Sequence, residues 1–239
     1  MIIIPARIGS SRFPNKVLAD IGGMPMVIRT AKAVESIDKV VIATDSQEVI
    51  NIAKEHNIFA VLTSDKHQSG TDRIYEAAQK LNLDENEVVI NVQGDEPFIE
   101  TAVVQAIYNL TKDNKDNERI MMNSCYKTIS NPEADDPNIV KVVTDSEDIA
   151  LYFSRAKVPH PRDHHFGAYK GHLGIYGFTV KSLRNFCTLS PAPLENIEKL
   201  EQLRALYHGY EVAMIEVNTE SFGIDTPEDL DKALKHHNL

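Results

Sequence analysis

An alternation of apolar and amphipathic segments near the start of the chain constrains its fold most. Residues 1–4, 39–44 and 59–62 are short apolar runs with the composition of buried strands. Residues 24–34 and 45–53 lie between them and repeat apolar side chains at helical spacing. A β-α-β-α-β order builds a parallel sheet that carries helices on both faces. We therefore predict an α/β protein with a three-layer α/β/α arrangement.

The loop after the first predicted strand, residues 5–16, has the composition of an anion site. It contains glycine, serine and three cations, Arg7, Arg12 and Lys16. Glycine and serine let backbone N–H groups approach an anion closely, and the cations neutralise its charge. A solvated surface loop is the alternative, but three cations within ten residues run against a net charge of −10. We expect this loop to bind phosphate groups.

A second polar loop, residues 63–73, enters another predicted helix. Its Ser69-Gly70-Thr71 sequence offers free N–H donors and the positive end of a helix dipole to an anion or a polar ligand. The alternative is an ordinary N-cap at Ser69 or Thr71. Capping does not require Arg73, so its presence favours a binding loop.

Carboxylates follow the fourth predicted strand, residues 87–92, and precede the last predicted helix. In open α/β sheets, ligands bind outside the carboxyl ends of the strands, and Asp95 lies at such an end. A carboxylate that faces a phosphate site usually holds Mg²⁺, although Asp95 could instead cap the following helix. A capping box at residues 226–229 accounts for its own members but leaves Asp225 without a role. Asp225 is therefore a candidate to meet Asp95 across a metal ion.

The middle of the chain has a different period. Residues 139–144 and 149–154 predict a hairpin, and residues 172–178 predict a further strand. We interpret residues ~130 to ~178 as an antiparallel excursion from the parallel sheet. The predicted central sheet is therefore mostly parallel but mixed.

Two groups of polar residues belong to this region or follow it. His172 and Tyr176 are four residues apart on a predicted strand and so point to one face, although a core histidine bonded to the backbone is an alternative. Residues 193–206 predict one continuous helix. Three of its polar residues lie close together on one side, namely Glu198, Glu201 and Gln202. A wet acidic face paired with neighbouring basic residues is the alternative for this group.

Composition bounds the class of protein. The 239 residues suit one domain, and 42% hydrophobic with 25% charged residues is ordinary for a globular protein. The acidic balance argues against a general nucleic-acid binder and against a membrane binder. Cys125 and Cys187 lack metal-site spacing, and the chain begins directly with a strand, so we expect reduced thiols in the cytoplasm. The glycine motifs of dinucleotide oxidoreductases, P-loop NTPases and α/β-hydrolases are absent, so these classes lose support.

Several motifs together resemble those of the sugar-acid cytidylyltransferases, and within them the family that activates 3-deoxy-manno-octulosonate (Kdo). The matching stretches follow one another in the family's order and are residues 4–7, 11–16, 67–73, 91–97, 150–156, 172–177, 193–204 and 223–230. Each stretch is moderately specific, whereas all of them in one order are very specific. The resemblance implies a nucleotide-diphospho-sugar transferase-like fold and a single nucleotidyltransferase domain over residues 1–239.

The resemblance also implies a reaction, in which CTP and Kdo give CMP-Kdo and pyrophosphate with Mg²⁺, for lipopolysaccharide synthesis. The residues that it implies in catalysis are Arg7, Arg12, Lys16, Asp95 and Asp225, of which the two aspartates bind the metal. The residues that it implies in nucleotide binding are Pro5, Ala6, Arg7, Lys16, Ser69, Gly70, Thr71, Arg73, Gln93 and Gly94. The residues that it implies in sugar binding are Arg12, Gln93, Arg155, His172, Tyr176, Glu198, Glu201 and Gln202. It further implies a homodimer, for which about residues 130–190 would form the interface.

Two departures from the family's pattern leave alternatives open. Asn15 stands where the family's loop usually has glycine, and asparagine tolerates the left-handed backbone that glycine would supply. The chain has no Trp after Arg155, on the sugar side. An 8-amino analogue of Kdo, or another acid sugar such as a sialic acid, is therefore an alternative substrate. A non-catalytic nucleotide-binding regulatory protein is the alternative of another class, against which the presence of both Asp95 and Asp225 argues.

Overall fold

The predicted alternation of strands and helices is present in the computed structural model of the protein, which describes residues 1–9, 13–163, 167–237 and 239. The described residues fall into two compact units. Unit 1 comprises Met1–Gln105 and Glu220–Leu239, and unit 2 comprises Ala106–Thr219. The single nucleotidyltransferase domain over residues 1–239 stays a prediction.

Strands and helices alternate along unit 1 and are interspersed in unit 2. The strands are β1 (Ile2–Ala6), β2 (Val40–Thr44), β3 (Phe59–Leu62), β4 (Val88–Asn91), β5 (Ile120–Ile129), β6 (Lys141–Thr144), β7 (Ala150–Ser154), β8 (Tyr169–Thr179) and β9 (Glu211–Glu216). The helices are α1 (Met26–Val34), α2 (Gln47–Glu55), α3 (Gly70–Lys80), α4 (Thr101–Asp113), α5 (Asn131–Ala134), α6 (Val180–Thr188), α7 (Pro193–Glu198), α8 (Leu203–Tyr207) and α9 (Pro227–His236). Within the described ranges, no helix has both the length and the apolar character that crossing a membrane requires.

The strands of unit 1 form a parallel sheet in the order β3-β2-β1-β4. β1 lies between two neighbours and is buried along its whole length, which explains its uninterrupted apolar sequence. Ser46 and Ser69 cap α2 and α3 by accepting hydrogen bonds from Val49 N and Asp72 N. Ser69 is therefore an N-cap, which the sequence analysis gave as the alternative to a binding loop. Because the strands are parallel, the loops after β1 and β4 leave the same edge of the sheet.

Unit 2 is built around β5, a strand that the sequence analysis did not predict. β5 pairs antiparallel with β8 and parallel with β9, while β6 and β7 form the predicted antiparallel hairpin. The antiparallel part of the chain therefore begins at Ile120, earlier than predicted. β5 is buried over most of its length, so it shows no alternating pattern, and Asn123 and Ser124 interrupt its apolar run.

The prediction of one helix over residues 193–206 is wrong. The structure has α7, then Lys199 in a left-handed conformation (φ 55°, ψ 47°), then a turn and α8. Contacts with β7 and the residue after it explain the break. Arg155 Nε donates to the Glu198 carbonyl over 2.7 Å, and the Glu198 carboxylate accepts hydrogen bonds from Ser154 Oγ and Arg155 N over 2.7 and 2.9 Å. These bonds hold the end of α7 in place of the contacts that a continued helix would make.

An ion pair joins α7 and α8 across the break. Arg204 donates from Nη2 and Nε to the two carboxylate oxygens of Glu195, over 2.5 and 2.9 Å. Only 10% of the Arg204 side chain and 13% of the Glu195 side chain are exposed. The Arg204 guanidinium also lies over the Phe186 ring, 4.7 Å from its centroid. The pair is bidentate and largely desolvated, so removal of one partner leaves a charge without compensation.

We predict that Glu195→Ala lowers the free energy of unfolding by about 3 kcal/mol, because it leaves the buried Arg204 charge without its carboxylate partner. The matched control is Glu35→Ala, which removes an exposed carboxylate paired with Lys32 and is expected to cost no more than ~0.5 kcal/mol. Urea unfolding followed by circular dichroism measures both. Equal losses in the two variants would contradict the structural role of the Glu195–Arg204 pair.

Candidate active site

Unit 1 contains a cavity of about 320 Å³ at the edge of the sheet where β1 and β4 end. Its wall consists of the end of β1 and the loop after it, the entrance to α3, the loop after β4, and Asp225, which precedes the N-cap residue of α9. The lining residues are Pro5, Arg7, Lys16, Val17, His67, Gln68, Ser69, Gly70, Arg73, Gln93, Gly94, Asp95 and Asp225. The cavity thus gathers most of the residues that the sequence analysis assigned to phosphate, nucleotide and metal binding.

Lys16 lies at the charged centre of this cavity. Its Nζ donates to Asp95 Oδ2 over 2.5 Å and to Asp225 Oδ1 over 2.9 Å. Burial alone would lower the pKa of Lys16, but the charges and hydrogen bonds of the two carboxylates outweigh it and raise the pKa above its usual value. The ammonium group is therefore charged at neutral pH and holds together two carboxylates that would otherwise repel each other.

The backbone at Asn15 sets the direction of Lys16. Asn15 has φ 55° and ψ 26°, the left-handed conformation that the sequence analysis proposed it would tolerate. A 3-10 turn, Lys16–Leu18, begins immediately after it, and Lys16 N donates to Phe13 O over 3.2 Å. The side chain of the next residue is thereby directed toward the carboxylates.

Two glycines allow the walls of the cavity to come close together. A Cβ atom on Gly94 would lie 3.0 Å from the carbonyl oxygen of Pro5, and one on Gly70 would lie 3.1 Å from Pro5 Cγ. Both distances are shorter than ordinary carbon contacts. A larger residue at either position would push Pro5 aside by a few tenths of an ångström, so glycine suits the places where the loop after β4 and the start of α3 pass the end of β1.

Hydrogen bonds from Arg73 hold the entrance to α3 against neighbouring loops. The Arg73 guanidinium donates to Thr63 Oγ1 over 2.6 Å and to Asp45 Oδ2 over 2.9 Å, and only 3% of the residue is exposed. Asp45 in turn accepts a long hydrogen bond of 3.4 Å from Ile8 N in the loop after β1. Arg73 thus joins two loops of the site, although it also lines the cavity.

Glu76 in α3 orders the same loop and was missed by the sequence analysis. Its carboxylate accepts hydrogen bonds from Ser64 N over 2.9 Å and from His67 Nε2, and it pairs with Lys80 over 2.8 Å. Desolvation opposes ionisation, but these donors together lower the pKa of Glu76 to about 2. The i,i+4 spacing of Glu76 and Lys80 is a sequence signal, whereas the contacts with Ser64 and His67 depend on the fold.

The donor set at the centre of the cavity fits a divalent ion. Asp95 and Asp225 both lie within 3 Å of one cationic atom, Lys16 Nζ, so their oxygens already converge on a positive charge. Mg²⁺ commonly takes one or two protein carboxylates and completes its shell with water and phosphate oxygens. Over the described residues, no group of three or more histidine, cysteine or acidic side chains forms a metal site, so a pair of aspartates is what this chain offers.

The remaining residues predicted for this site lie in different surroundings. Arg7 is exposed at the cavity, whereas Ala6 and Thr71 are buried. Gln93 lines the cavity and donates from Nε2 to Asn91 Oδ1 over 3.3 Å. Arg12 lies outside the described residues.

Part of the predicted sugar group lies together within unit 2. Tyr176 Oη donates to Gln202 Oε1 over 3.2 Å, and the His172 and Tyr176 rings are 5.6 Å apart. Burial, with the nearby charge of Glu201, raises the pKa of Tyr176 well above its usual value, so the phenol remains a neutral donor. Gln202 is 2% exposed, and its Nε2 has no hydrogen-bond partner in the part of the chain that the structure describes. A buried donor of this kind is costly unless the oxygen of a water molecule or a ligand satisfies it.

The other two residues of the sugar group have structural contacts. Besides its bond to Glu198, the Arg155 guanidinium donates to the carbonyl oxygen of Pro137 over 3.0 Å and lies 3.5 Å from that of Lys199. The Glu198 carboxylate is bonded at the end of β7, as described above. These contacts fix the segment that carries Glu201 and Gln202, a role that the sequence analysis did not foresee because it expected a continuous helix there.

Comparison with known proteins gives consistent matches over the whole chain. The cytidylyltransferase family model matches residues 1–235. A 3-deoxy-manno-octulosonate cytidylyltransferase from a Nitratiruptor species is 57% identical, and the match covers 97% of each chain. The protein of the same description from Wolinella succinogenes is 52% identical over 98% of each chain.

Solved structures give the same picture. The structure of CMP:2-keto-3-deoxy-manno-octonic acid synthetase complexed with CTP matches with a TM-score of 0.91 and 36% identity, over 100% of this chain and 98% of that one. A putative glucose-1-phosphate thymidylyltransferase from Bacillus anthracis matches with a TM-score of 0.65 and 17% identity, over 98% and 94% of the two chains, and this likeness concerns the fold alone. The predicted fold class, a three-layer α/β protein with a mostly parallel, mixed sheet, is thereby confirmed. The use of the antiparallel part for dimerisation stays a prediction.

We predict that Asn15→Val is less stable than Asn15→Gly by about 1–2 kcal/mol, because a β-branched residue is strained at φ 55° and glycine is not. Thermal unfolding of the two variants side by side measures the difference. The comparison isolates the backbone, since neither substitution retains the asparagine amide. A valine variant as stable as the glycine variant would show that the left-handed conformation at Asn15 is dispensable.

Proposed function

The chain belongs to the cytidylyltransferase family, and on that premise we propose that it activates Kdo. In this reaction, CTP and Kdo give CMP-Kdo and pyrophosphate, which serves lipopolysaccharide synthesis. One observation carries the proposal: the charged Lys16 lies between Asp95 and Asp225 within hydrogen-bond distance of both, in a cavity that Arg7 also lines. A site with cations for phosphate and paired carboxylates for a metal suits nucleotidyl transfer.

The phosphate-binding part of the reaction falls to the loop after β1. Arg7 and Lys16, with Arg12 as a further candidate, neutralise the triphosphate and the pyrophosphate that leaves. Gly70 and Gly94 let the ligand approach the backbone, and Ser69, Gln93 and Arg73 complete the nucleotide site. The anomeric hydroxyl of the sugar attacks the α-phosphorus in line with the leaving pyrophosphate. Such a reaction depends on positioning and charge neutralisation more than on covalent catalysis.

Asp95 and Asp225 are the residues that would hold Mg²⁺. When bound there, the ion supplies charge neutralisation for the phosphates and lowers the pKa of a hydroxyl that it contacts. The two carboxylates bring their oxygens to one point, and Lys16 can turn toward the phosphates once the carboxylates have another cation. No side chain needs to act as a general base in this scheme.

The sugar acid is assigned to the polar group of unit 2. Gln202 Nε2 is a buried donor for an oxygen of the substrate, and His172, Tyr176 and Glu201 offer further polar atoms beside it. The family resemblance implies that Arg155 takes part in sugar binding. Its bonds to carbonyl oxygens also support a positioning role, together with Glu198, for the segment that carries Gln202.

The protein is further proposed to act as a cytoplasmic homodimer. Unit 2 exposes large apolar side chains, with Leu151 exposed by 59%, Ile197 by 76% and Tyr207 by 54%. Exposed apolar groups of this size are common where a second subunit covers them. Size-exclusion chromatography with light scattering distinguishes a dimer from a monomer.

The substrate is tested by pyrophosphate release with Mg²⁺, in which each of the four nucleoside triphosphates is paired with Kdo, its 8-amino analogue and a sialic acid. We expect release only with CTP and Kdo. Release with CTP and a different acid sugar would keep the nucleotide half of the proposal and overturn the Kdo half. A folded protein that binds CTP but releases no pyrophosphate with any sugar would instead be a nucleotide-binding regulator.

We predict that Asp95→Asn and Asp225→Asn each lower kcat by ~10²–10³-fold, because each removes one charge from the proposed metal site. The matched control is Asp231→Asn, which neutralises an exposed aspartate in α9 and should leave kcat unchanged. Circular dichroism establishes that the variants are folded. Near-normal Mg²⁺-dependent turnover in either site variant would remove that residue from the metal site.

A further inference from the structure

Ser124 in β5 makes a set of contacts to the predicted sugar group that the proposed reaction does not yet use. It is fully buried, with an exposure of 0%. Its Oγ lies 2.9 Å from His172 Nε2, 2.8 Å from the carbonyl oxygen of Ile175 and 3.2 Å from that of Leu173. One hydroxyl group therefore has three hydrogen-bonding neighbours, and two of them can only accept.

The number of hydrogens available indicates which atom donates in each of these bonds. A serine hydroxyl has one hydrogen, which it can donate to one carbonyl at a time. If that hydrogen pointed at His172, Oγ would face two carbonyl oxygens at 2.8 and 3.2 Å with no proton between them, which is repulsive. The more favourable arrangement has Ser124 donating to Ile175 O and His172 Nε2–H donating to Ser124 Oγ, which leaves the longer contact, with Leu173 O, as the one without a proton. The imidazole proton therefore resides on Nε2, and Nδ1 carries a lone pair.

The surroundings of the ring keep it neutral. The Phe153 ring packs edge-on at 4.9 Å, and the ring of Tyr176, four residues further along β8, lies 5.6 Å away. Burial lowers the pKa of His172 to about 3, so the imidazole carries no charge at neutral pH. Among the described residues, Nδ1 makes no hydrogen bond of its own. Nδ1 is thus a neutral acceptor that is open to a ligand.

We propose that Ser124 is a positioning residue that holds His172 in the Nε2–H tautomer, so that Nδ1 accepts a hydrogen bond from a hydroxyl group of the sugar acid. The identity of the ligand rests on the proposed function, whereas the tautomer does not. A neutral acceptor recognises a hydroxyl donor and gives no attraction to the sugar's carboxylate. Discrimination follows because a ligand that lacks the matching hydroxyl forfeits this hydrogen bond and leaves the acceptor that it covers without a partner.

The tautomer is measured first, on the ligand-free wild-type protein at neutral pH. Two-dimensional ¹⁵N NMR of the histidine rings separates a protonated from an unprotonated ring nitrogen, and comparison with His172→Gln assigns the His172 signals. We expect protonated Nε2 and unprotonated Nδ1. A ring that is protonated on Nδ1, or on both nitrogens, overturns the proposal without any need for a Ser124 variant.

Kinetics then test whether the contact matters for the substrate. Ser124→Ala is expected to raise the KM for Kdo about tenfold, the effect of one neutral hydrogen bond, while the KM for CTP stays unchanged. In the same variant, the NMR signals of His172 should shift toward a mixture of the two tautomers. The matched control is Thr128→Val, which removes another β5 hydroxyl, one that bonds to Glu216, and should change neither KM. An unchanged KM for Kdo in Ser124→Ala overturns the positioning role.

A double-mutant cycle separates positioning from a general loss of packing. Since Ser124 acts through His172, Ser124→Ala should have little further effect on the KM for Kdo in the His172→Gln background. Additive effects of the two substitutions would overturn the coupling. Failure of the wild-type protein to turn over Kdo would overturn the proposed function and the ligand named here, while the NMR result would still decide the tautomer.

Discussion

The contact of one lysine with two aspartates is the interaction on which the candidate active site depends. Asp95 and Asp225 are 79 and 209 residues away from Lys16 in the chain. In space, however, both carboxylates lie within 3 Å of the same atom, Lys16 Nζ. Two carboxylates so close together repel each other, and the ammonium group compensates their charge. The three segments that converge here contribute opposite charges, which is the property that a site for a metal-bound triphosphate needs.

The charges are held in place by the apolar residues beside them. Phe13 precedes Lys16, Phe98 follows Asp95 and Ile224 precedes Asp225, and all three belong to one apolar cluster with Ile21 and Met26. In addition, Ile224 N donates to Asp95 O over 2.9 Å, which joins the two acidic segments directly. Packing and this backbone bond therefore hold the two acidic segments together in addition to their ion pairs with Lys16. Pre-organisation of this kind reduces the cost of assembling the site during each turnover.

Local patterns were sufficient for much of unit 1, and contacts between distant residues explain where they failed. The apolar runs of β1 to β4 are local signals, so these strands were predicted correctly. The break at Lys199 depends on Arg155 and Glu198, which are 43 residues apart, and no helical pattern records such a contact. β5 was not predicted because a strand buried on both faces shows no alternation of apolar and polar residues. The role of Ser124 was not predicted because a serine within such a strand belongs to no recognisable motif. The residues that line the cavity of unit 1 were thus easier to predict than the backbone that arranges the sugar group of unit 2.

With the nucleotide assigned to unit 1 and the sugar to unit 2, as proposed above, the two groups of polar residues would recognise their ligands by different physical means. In unit 1, full charges in an open cavity neutralise an anion, and the geometry of each contact matters less than the balance of charge. In unit 2, burial keeps Tyr176 and His172 neutral, and Gln202 is also a neutral side chain. Neutral, desolvated donors and acceptors gain little from a ligand's charge but lose much when a hydroxyl is missing. The proposed assignment therefore has the nucleotide held through its charge and the choice among sugars set by the positions of single protons.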